Sequence, residues 1–419
     1  MDITFQIFNI ILTGSNVRRL LKVKVIHNIN ITYYYYYYHF YMIYKNNSGG
    51  LEMRVVCSKD NLMEGINITQ KAVSSKTTLP ILEGILLEAS DKFKLTGNDL
   101  EIGIECIVES DIQRTGSIVL NSRMFGDIVR RLPESEVLIE VKDNNLVIIE
   151  CENSHFELKG INASGFPVIP EINRNNTFTI SQKLLKDMIK QTLFAVSTDE
   201  NRPILNGSLI ECKDNTLSFV SIDGYRMALR SAASDNENQD FSVVVPGKTL
   251  NEIGKILQPV DDEITIYNSE NQITFDMGNC RVVSRLIEGE YLNYRNLIPK
   301  DFETKIKVRT KELLSSVERA SLITMDEKRY SVKFSIDDEK IIISLNTDMG
   351  AVREEIRIDM TGSKMNISFN PRYFIDALKV IDDEEIEVKF TSNVGPCILA
   401  PVDGDSYTYM ILPVRTRDN

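Results

Sequence analysis

The chain has 419 residues, 48 Lys and Arg against 60 Asp and Glu, and a formal net charge of −12. It has no Trp and three His, of which only His155 lies beyond residue 52, so His-rich metal centres and imidazole triads are largely excluded. The six Cys (Cys57, Cys106, Cys151, Cys212, Cys280, Cys397) form no C-x₂-C pair, which argues against zinc ribbons and redox motifs and fits reduced, buried thiols in a cytosol.

Residues 1–52 stand apart, with eight of the sixteen Tyr, six of them consecutive at positions 33–38. The apolar run at 7–12 is too short to span a bilayer and has no basic region before it. This stretch reads as an anomalous extension from a misassigned start, and the mature protein is expected to begin at Met53. From there the pattern is regular. Met53-Arg-Val-Val-Cys57 predicts a strand and 59–71 a helix. Asn98-Asp99-Leu100 lies in strand-like alternation, and a strand at 118–120 precedes a helix over 123–132. Strands follow at 137–141 and 146–151, then a polar linker at 170–176.

The same series then repeats. Helices are predicted at 181–191 and 247–257, with Ile222-Asp223-Gly224 between them. A second linker at 298–304 leads to helices at 310–320 and 371–381, with Thr347-Asp348-Met349 between. Asp99, Asp223 and Asp348 are 124 and 125 residues apart, and Leu79-Pro-Ile-Leu-Glu-Gly84 matches Arg202-Pro-Ile-Leu-Asn-Gly207 at 123. A shared period of this length indicates tandem domains. The expected fold is α+β, with three copies at 53–172, 177–298 and 303–416, each of two helices packed on antiparallel sheets.

The net charge hides an asymmetry. The six predicted helices hold 14 Lys and Arg against 8 Asp and Glu, so the excess of acid lies elsewhere. On the helix over 181–191, Lys183, Lys186 and Lys190 share a face opposite Leu184, Leu185, Met188 and Ile189. A basic helical surface would attract phosphates without reading sequence. Twelve helices about 10 Å wide, from two copies of the chain, would enclose a hole of about 28 Å. A duplex on the order of 20 Å wide would pass through it.

Several motifs then become recognisable together: Thr78-Leu-Pro-Ile-Leu82, Leu95-Thr-Gly-Asn-Asp-Leu-Glu101, Asp223-Gly-Tyr-Arg226, Tyr294-Arg-Asn-Leu-Ile-Pro299 and Met410-Ile-Leu-Pro-Val-Arg415. In this order and spacing, residues 53–415 resemble the bacterial DNA sliding clamp family, the β subunits of DNA polymerase III. The resemblance implies a head-to-tail homodimeric ring that encircles duplex DNA and tethers the replicative polymerase. It implies no active site, cofactor or metal, a cytoplasmic, nucleoid-associated protein, and a clamp loader and other proteins docking by short peptides.

Carried over residue by residue, a peptide pocket would be lined by Leu205, Ile222, Gly224, Tyr225, Arg226, Met227, Leu292, Leu297, Met410 and Leu412, with Arg202, Pro396 and Val414 in an adjoining shallow part. Leu292 and Asn296 stand where many relatives have Pro and Arg, and Pro203-Ile204 where some have a tyrosine pair, so peptide preference is expected to differ. Phe156 and Leu158 would meet Leu322 and Ile323 of a second copy. Lys76, Arg123, Lys183, Lys186, Lys190, Lys248, Lys255 and Arg372 would face DNA. Removing residues 410–419 is expected to abolish polymerase stimulation and leave the dimer intact.

Two other readings are set beside this one. A carboxylate-dependent nuclease would draw on Asp261-Asp-Glu263, Asp337-Asp-Glu339 and Asp382-Asp-Glu-Glu385, although such runs suit polar turns and catalytic carboxylates must converge from separate strands. A protein-binding repeat scaffold would need no basic helices.

Overall fold

The computed structural model describes residues 53–74, 77–170, 177–234, 240–324, 331–348 and 350–415. Each repeat begins with a strand that feeds a helix: β1 (Arg54–Ser58) into α1 (Lys59–Thr69), β10 (Thr177–Ser181) into α3 (Gln182–Leu193), and β18 (Thr304–Arg309) into α5 (Thr310–Ser321). Each second half has the same entry: β6 (Gly116–Asn121) into α2 (Ser122–Arg131), β14 (Phe241–Pro246) into α4 (Gly247–Ile256), and β23 (Met365–Phe369) into α6 (Pro371–Leu378). The side chains of Ser58, Asn121, Ser181 and Asn370 accept hydrogen bonds from backbone N–H groups of the first helical turn. Those groups would otherwise lack partners, which is why these residue types open helices.

The remaining strands complete two sheet units per repeat. The first repeat has β2 (Gly84–Ala89), β3 (Phe93–Asn98), β4 (Ile102–Val108), β5 (Asp111–Arg114), β7 (Glu136–Lys142), β8 (Leu146–Cys151) and β9 (Ser154–Lys159). The second has β11 (Gly207–Lys213), β12 (Thr216–Ile222), β13 (Arg226–Ala233), β15 (Glu263–Asn268), β16 (Gln272–Asp276) and β17 (Cys280–Arg285). The third has β19 (Val332–Asp337), β20 (Lys340–Thr347), β21 (Gly350–Arg357), β22 (Asp359–Gly362), β24 (Glu385–Phe390), β25 (Cys397–Pro401) and β26 (Tyr407–Ile411).

The sheets ignore the domain boundaries. Strand β4 of the first repeat pairs antiparallel with β17 of the second, and β13 of the second pairs with β26 of the third. The result is an eight-stranded and a nine-stranded sheet, flanked by a five-stranded sheet ending on β9 and a four-stranded sheet ending on β21. The cores cross as well. Ala72, Ile102 and Ile104 pack into the second domain's core, and Ala195 and Ala228 into the third's. Each domain therefore fills the end of the next one's hydrophobic interior, and burial in a shared core resists separation.

Two sequence expectations need correction. Cys106 and Cys280 are not reduced thiols: they face each other across the first junction and form a disulfide, while Cys57, Cys151, Cys212 and Cys397 are free and buried. A separation of 174 residues hides such a pair from spacing arguments. The third turn also aligns differently. Asp99 and Asp223 close their turns by pairing with Ile102 and Arg226, whereas Thr347 pairs with Gly350 at the third. Thr347, not Asp348, takes the repeated position.

The acidic runs occupy turns. Asp261 and Asp262 lie just before β15, Asp337 and Asp338 meet Lys364 at a hairpin, and Asp383 accepts a hydrogen bond from the Tyr407 hydroxyl. Among the described residues no three His, Cys, Asp or Glu converge as metal ligands. Also among them, no helix is long and apolar enough to cross a membrane.

Candidate partner-binding site

At the second junction a fourth apolar cluster joins Leu205, Ile222, Met227 and Tyr294 of the second domain to Ile398 and Met410 of the third. Ladder pairing sets Met227 opposite Met410 and Arg226 opposite Ile411. Four of the expected pocket residues thus belong to this buried cluster. Three others are exposed: Tyr225 at 62%, Leu292 at 47% and Leu297 at 41%. Leu412, Val414 and Pro396 are half-buried. The terminal segment is tied down by its backbone, with Leu412 N–H donating to Tyr225 O at 2.9 Å and Val414 N–H to Ser368 O at 2.8 Å.

The turn beside this cluster is built by Asp223. Its Oδ1 accepts from the N–H groups of Tyr225 (2.8 Å) and Arg226 (3.0 Å), and Gly224 takes φ +94°. That conformation disfavours any residue with a Cβ. An added Cβ would also stand 3.2 Å from an Arg202 guanidinium nitrogen, so Arg202 lies against the turn.

Arg226 has a different role from the one expected. Its Nε donates to Asp223 Oδ2 at 2.9 Å and another guanidinium nitrogen to Asp376 Oδ2 at 2.7 Å. Its guanidinium also lies 4.7 Å from the Tyr373 ring centroid and 5.4 Å from that of Phe194. It is committed to holding the two domains together, while Arg202 is exposed and lies 3.9 Å from Asp199. Replacing Arg226 by Ala would strand Asp223 and Asp376 without their charge partner. The expected cost is about 3 kcal/mol, read as a lower urea midpoint.

The segment carrying Leu292 and Leu297 is anchored through Glu211, which accepts from the Tyr294 hydroxyl at 2.9 Å and from Arg295. Burial opposes ionisation of Glu211, yet Arg295 and Tyr294 hold its carboxyl below the usual range. Burial, together with Glu211, pushes the Tyr294 hydroxyl up to about 12.

The cationic candidates divide into two groups. Arg123, Lys183 and Arg372 are exposed and make no ion pair among the described residues. The others are engaged. Lys186 Nζ donates to Leu257 O at 2.7 Å, Lys190 lies 3.8 Å from Asp382, and Lys255 lies 2.7 Å from Glu252. Lys248 reaches across the first junction to Asp99 and Glu101. Burial opposes its charge, but the two carboxylates outweigh that and raise its pKa. Lys76 lies outside the described residues.

Of the expected dimer residues, Phe156 and Leu158 lie on β9, the edge of the five-stranded sheet, with Phe156 37% exposed. Leu322 and Ile323 follow α5, and Leu322 is 56% exposed. Sequence reasoning missed His155, which bridges Glu150 and Glu157 on the same edge; hydrogen bonds to both carboxylates raise its pKa.

Three copies of one two-helix domain, joined edge to edge with an apolar cluster spanning the second junction, define a clamp-type scaffold. Family models described as the N-terminal, central and C-terminal domains of the DNA polymerase III beta subunit match residues 53–170, 179–293 and 295–415. The chain is 37% identical over 375 residues to a beta sliding clamp of Staphylococcus epidermidis, covering 87% of this chain and 100% of that one. A solved sliding clamp of Bacillus subtilis superposes with a TM-score of 0.85 at 40% identity, and a DNA polymerase III beta chain of Streptococcus pneumoniae with 0.84 at 32%. Both alignments cover 87% of this chain and 100% of the other. The chain belongs to the DNA polymerase III beta subunit family, the bacterial sliding clamps, which are non-catalytic processivity factors.

Proposed function

We propose that two copies of this chain close head to tail around duplex DNA in the bacterial cytoplasm. There they hold the replicative polymerase, the clamp loader and other proteins through peptides bound at the second junction. The observation that carries this reading is the pair of sheet edges β9 and β21, which meet no further strand among the described residues. Followed strand by strand from the helix-opening residues, the ladders make Phe156, Val282 and Tyr409 equivalent, and likewise Ile104, Ala228 and Val352. Val282 faces Ile104 at the first junction and Tyr409 faces Ala228 at the second. Repeating the operation once more sets Val352 on β21 opposite Phe156 of the partner subunit. A heterologous contact of this kind can close into a ring.

The helix ends support the same pairing. Ala72, Ala195 and Ile323 each lie fourteen residues beyond the residue that opens their helix. The first two are fully buried in the next domain's core. Phe194, the counterpart of Leu322, packs edge-on against Tyr409 at 5.4 Å, so Leu322 would reach Phe156 of the partner subunit.

Exposed, unpaired Arg123, Lys183 and Arg372 would meet the phosphates. Changing all three to Glu should weaken DNA retention and flatten its salt dependence, because fewer counterions are displaced. Changing Lys248 should instead loosen the first junction. The direct test is polymerase processivity on primed circular DNA with the cognate loader. Unchanged product lengths with and without this protein would refute the reading.

A further inference from the structure

The disulfide occupies a place the repeat does not explain. Cys106 on β4 and Cys280 on β17 are paired residues of the ladder that joins the first two domains, with Cα atoms 4.3 Å apart. That spacing belongs to a non-hydrogen-bonded antiparallel pair, in which side chains lie closest. At the second junction the same register position holds Arg230 opposite Tyr407. The cysteine pair is thus particular to one junction, and its two residues come from different domains.

The pair also borders a cavity. Both cysteines are nearly fully buried, and they are among the residues lining a space of about 470 Å³ with Gly65 and Ile68 of α1, Phe93 and Asn279. The four free cysteines are buried and Cys57, Cys151, Cys212 and Cys397 are absent from the residues bounding this cavity.

We propose that Cys106 and Cys280 form a redox-responsive staple across the junction of the first two domains, closed and opened by thiol–disulfide exchange with a low-molecular-weight thiol in the adjoining cavity. One cysteine thiolate attacks a sulfur of the small disulfide and expels one thiol. The second cysteine attacks the resulting mixed disulfide and expels the other. Two protons leave the cysteines, and the small disulfide gains two electrons to become two thiols. The bond fixes β4 against β17 and so limits rotation between the two domains. The dithiol leaves that junction to its backbone ladder, the Glu105–Arg281 and Lys248–Asp99/Glu101 ion pairs and apolar packing. The staple lies within one chain and does not depend on ring closure.

The test equilibrates the folded wild-type chain with glutathione buffers of increasing oxidised fraction, then quenches in acid and alkylates under denaturing conditions. Peptides containing Cys106 and Cys280 should pass together from alkylated to disulfide-linked and return on reduction, while the other four cysteines stay alkylated. Hydrogen exchange of the β4 and β17 amides should slow by at least about tenfold in the oxidised form. Cys280→Ala should abolish that response, with Cys106→Ala as an independent second variant. Alkylation of both cysteines at every buffer composition, or oxidation without a change in exchange at β4 and β17, would overturn the proposal.

Discussion

Changing Leu322 and Ile323 together to Asp should give a protein that scatters light as a monomer, with a dimer dissociation constant raised at least about a thousandfold. The equivalents of these residues reveal what the site does when covered. Phe194 packs on Tyr409 and Ala195 is fully buried in the third domain's core. On the third domain Leu322 has no such cover among the described residues and is 56% exposed. A carboxylate there stays hydrated in the single chain and must be desolvated on association, a penalty of about 4 kcal/mol or more. Stability of the isolated chain should therefore change little.

The head-to-tail geometry adds a sharper consequence. Phe156→Asp, on the other face, should also give monomers. Mixing the two variants should restore a dimer, because one mutant keeps an intact first-domain edge and the other an intact third-domain end. A contact in which each of these residues met its own counterpart could not be rescued in this way. An unchanged mass for both variants, or monomers that stay monomers on mixing, would contradict the interface.

The fold was legible because its signal is repeated. A helix over 181–191 is one amphipathic run among many, but the same run at matching offsets from Ser58, Ser181 and Arg309 becomes a domain period. The turn at Asp223-Gly224 was legible too: these residues can hardly avoid a tight turn, and it brings Tyr225 to the surface.

Pairing was not legible. Charge counts treat every lysine alike, but Lys248 spends its charge on Asp99 and Glu101, about 150 residues away in sequence. Arg226 looked like a ligand for a peptide because pocket-lining arginines usually are. Asp376, which claims it, lies 150 residues on, and no local pattern links them. The cysteine pair was hidden in the same way. Local patterns carry periodicity and turns; the partner of a charge or thiol depends on which strands become neighbours.

Ending the chain at Ile411 should lower the affinity of the cognate polymerase's clamp-binding peptide at least about thirtyfold while the dimer stays intact. This replaces the expectation for removal of residues 410–419, which would cut into the sheet itself. Strand β26 lies between β13 and β25 in the nine-stranded sheet, and Met410 and Ile411 are buried there against Met227 and Cys397. Losing them would open the second junction, so failed docking would say nothing about the proposed peptide site. Leu412 and Val414 are half-buried and rest on two backbone hydrogen bonds, which limits the cost of losing them to roughly 1–3 kcal/mol. What disappears is one rim of that site, and peptide anchors beside it become open to water. Leu292→Asp tests the opposite rim at almost no folding cost, because Leu292 is already 47% exposed. If fluorescence anisotropy finds peptide binding unchanged in both variants, the peptide docks elsewhere on the clamp. If only the truncation weakens binding, the site is narrower than proposed and Leu292 lies outside it.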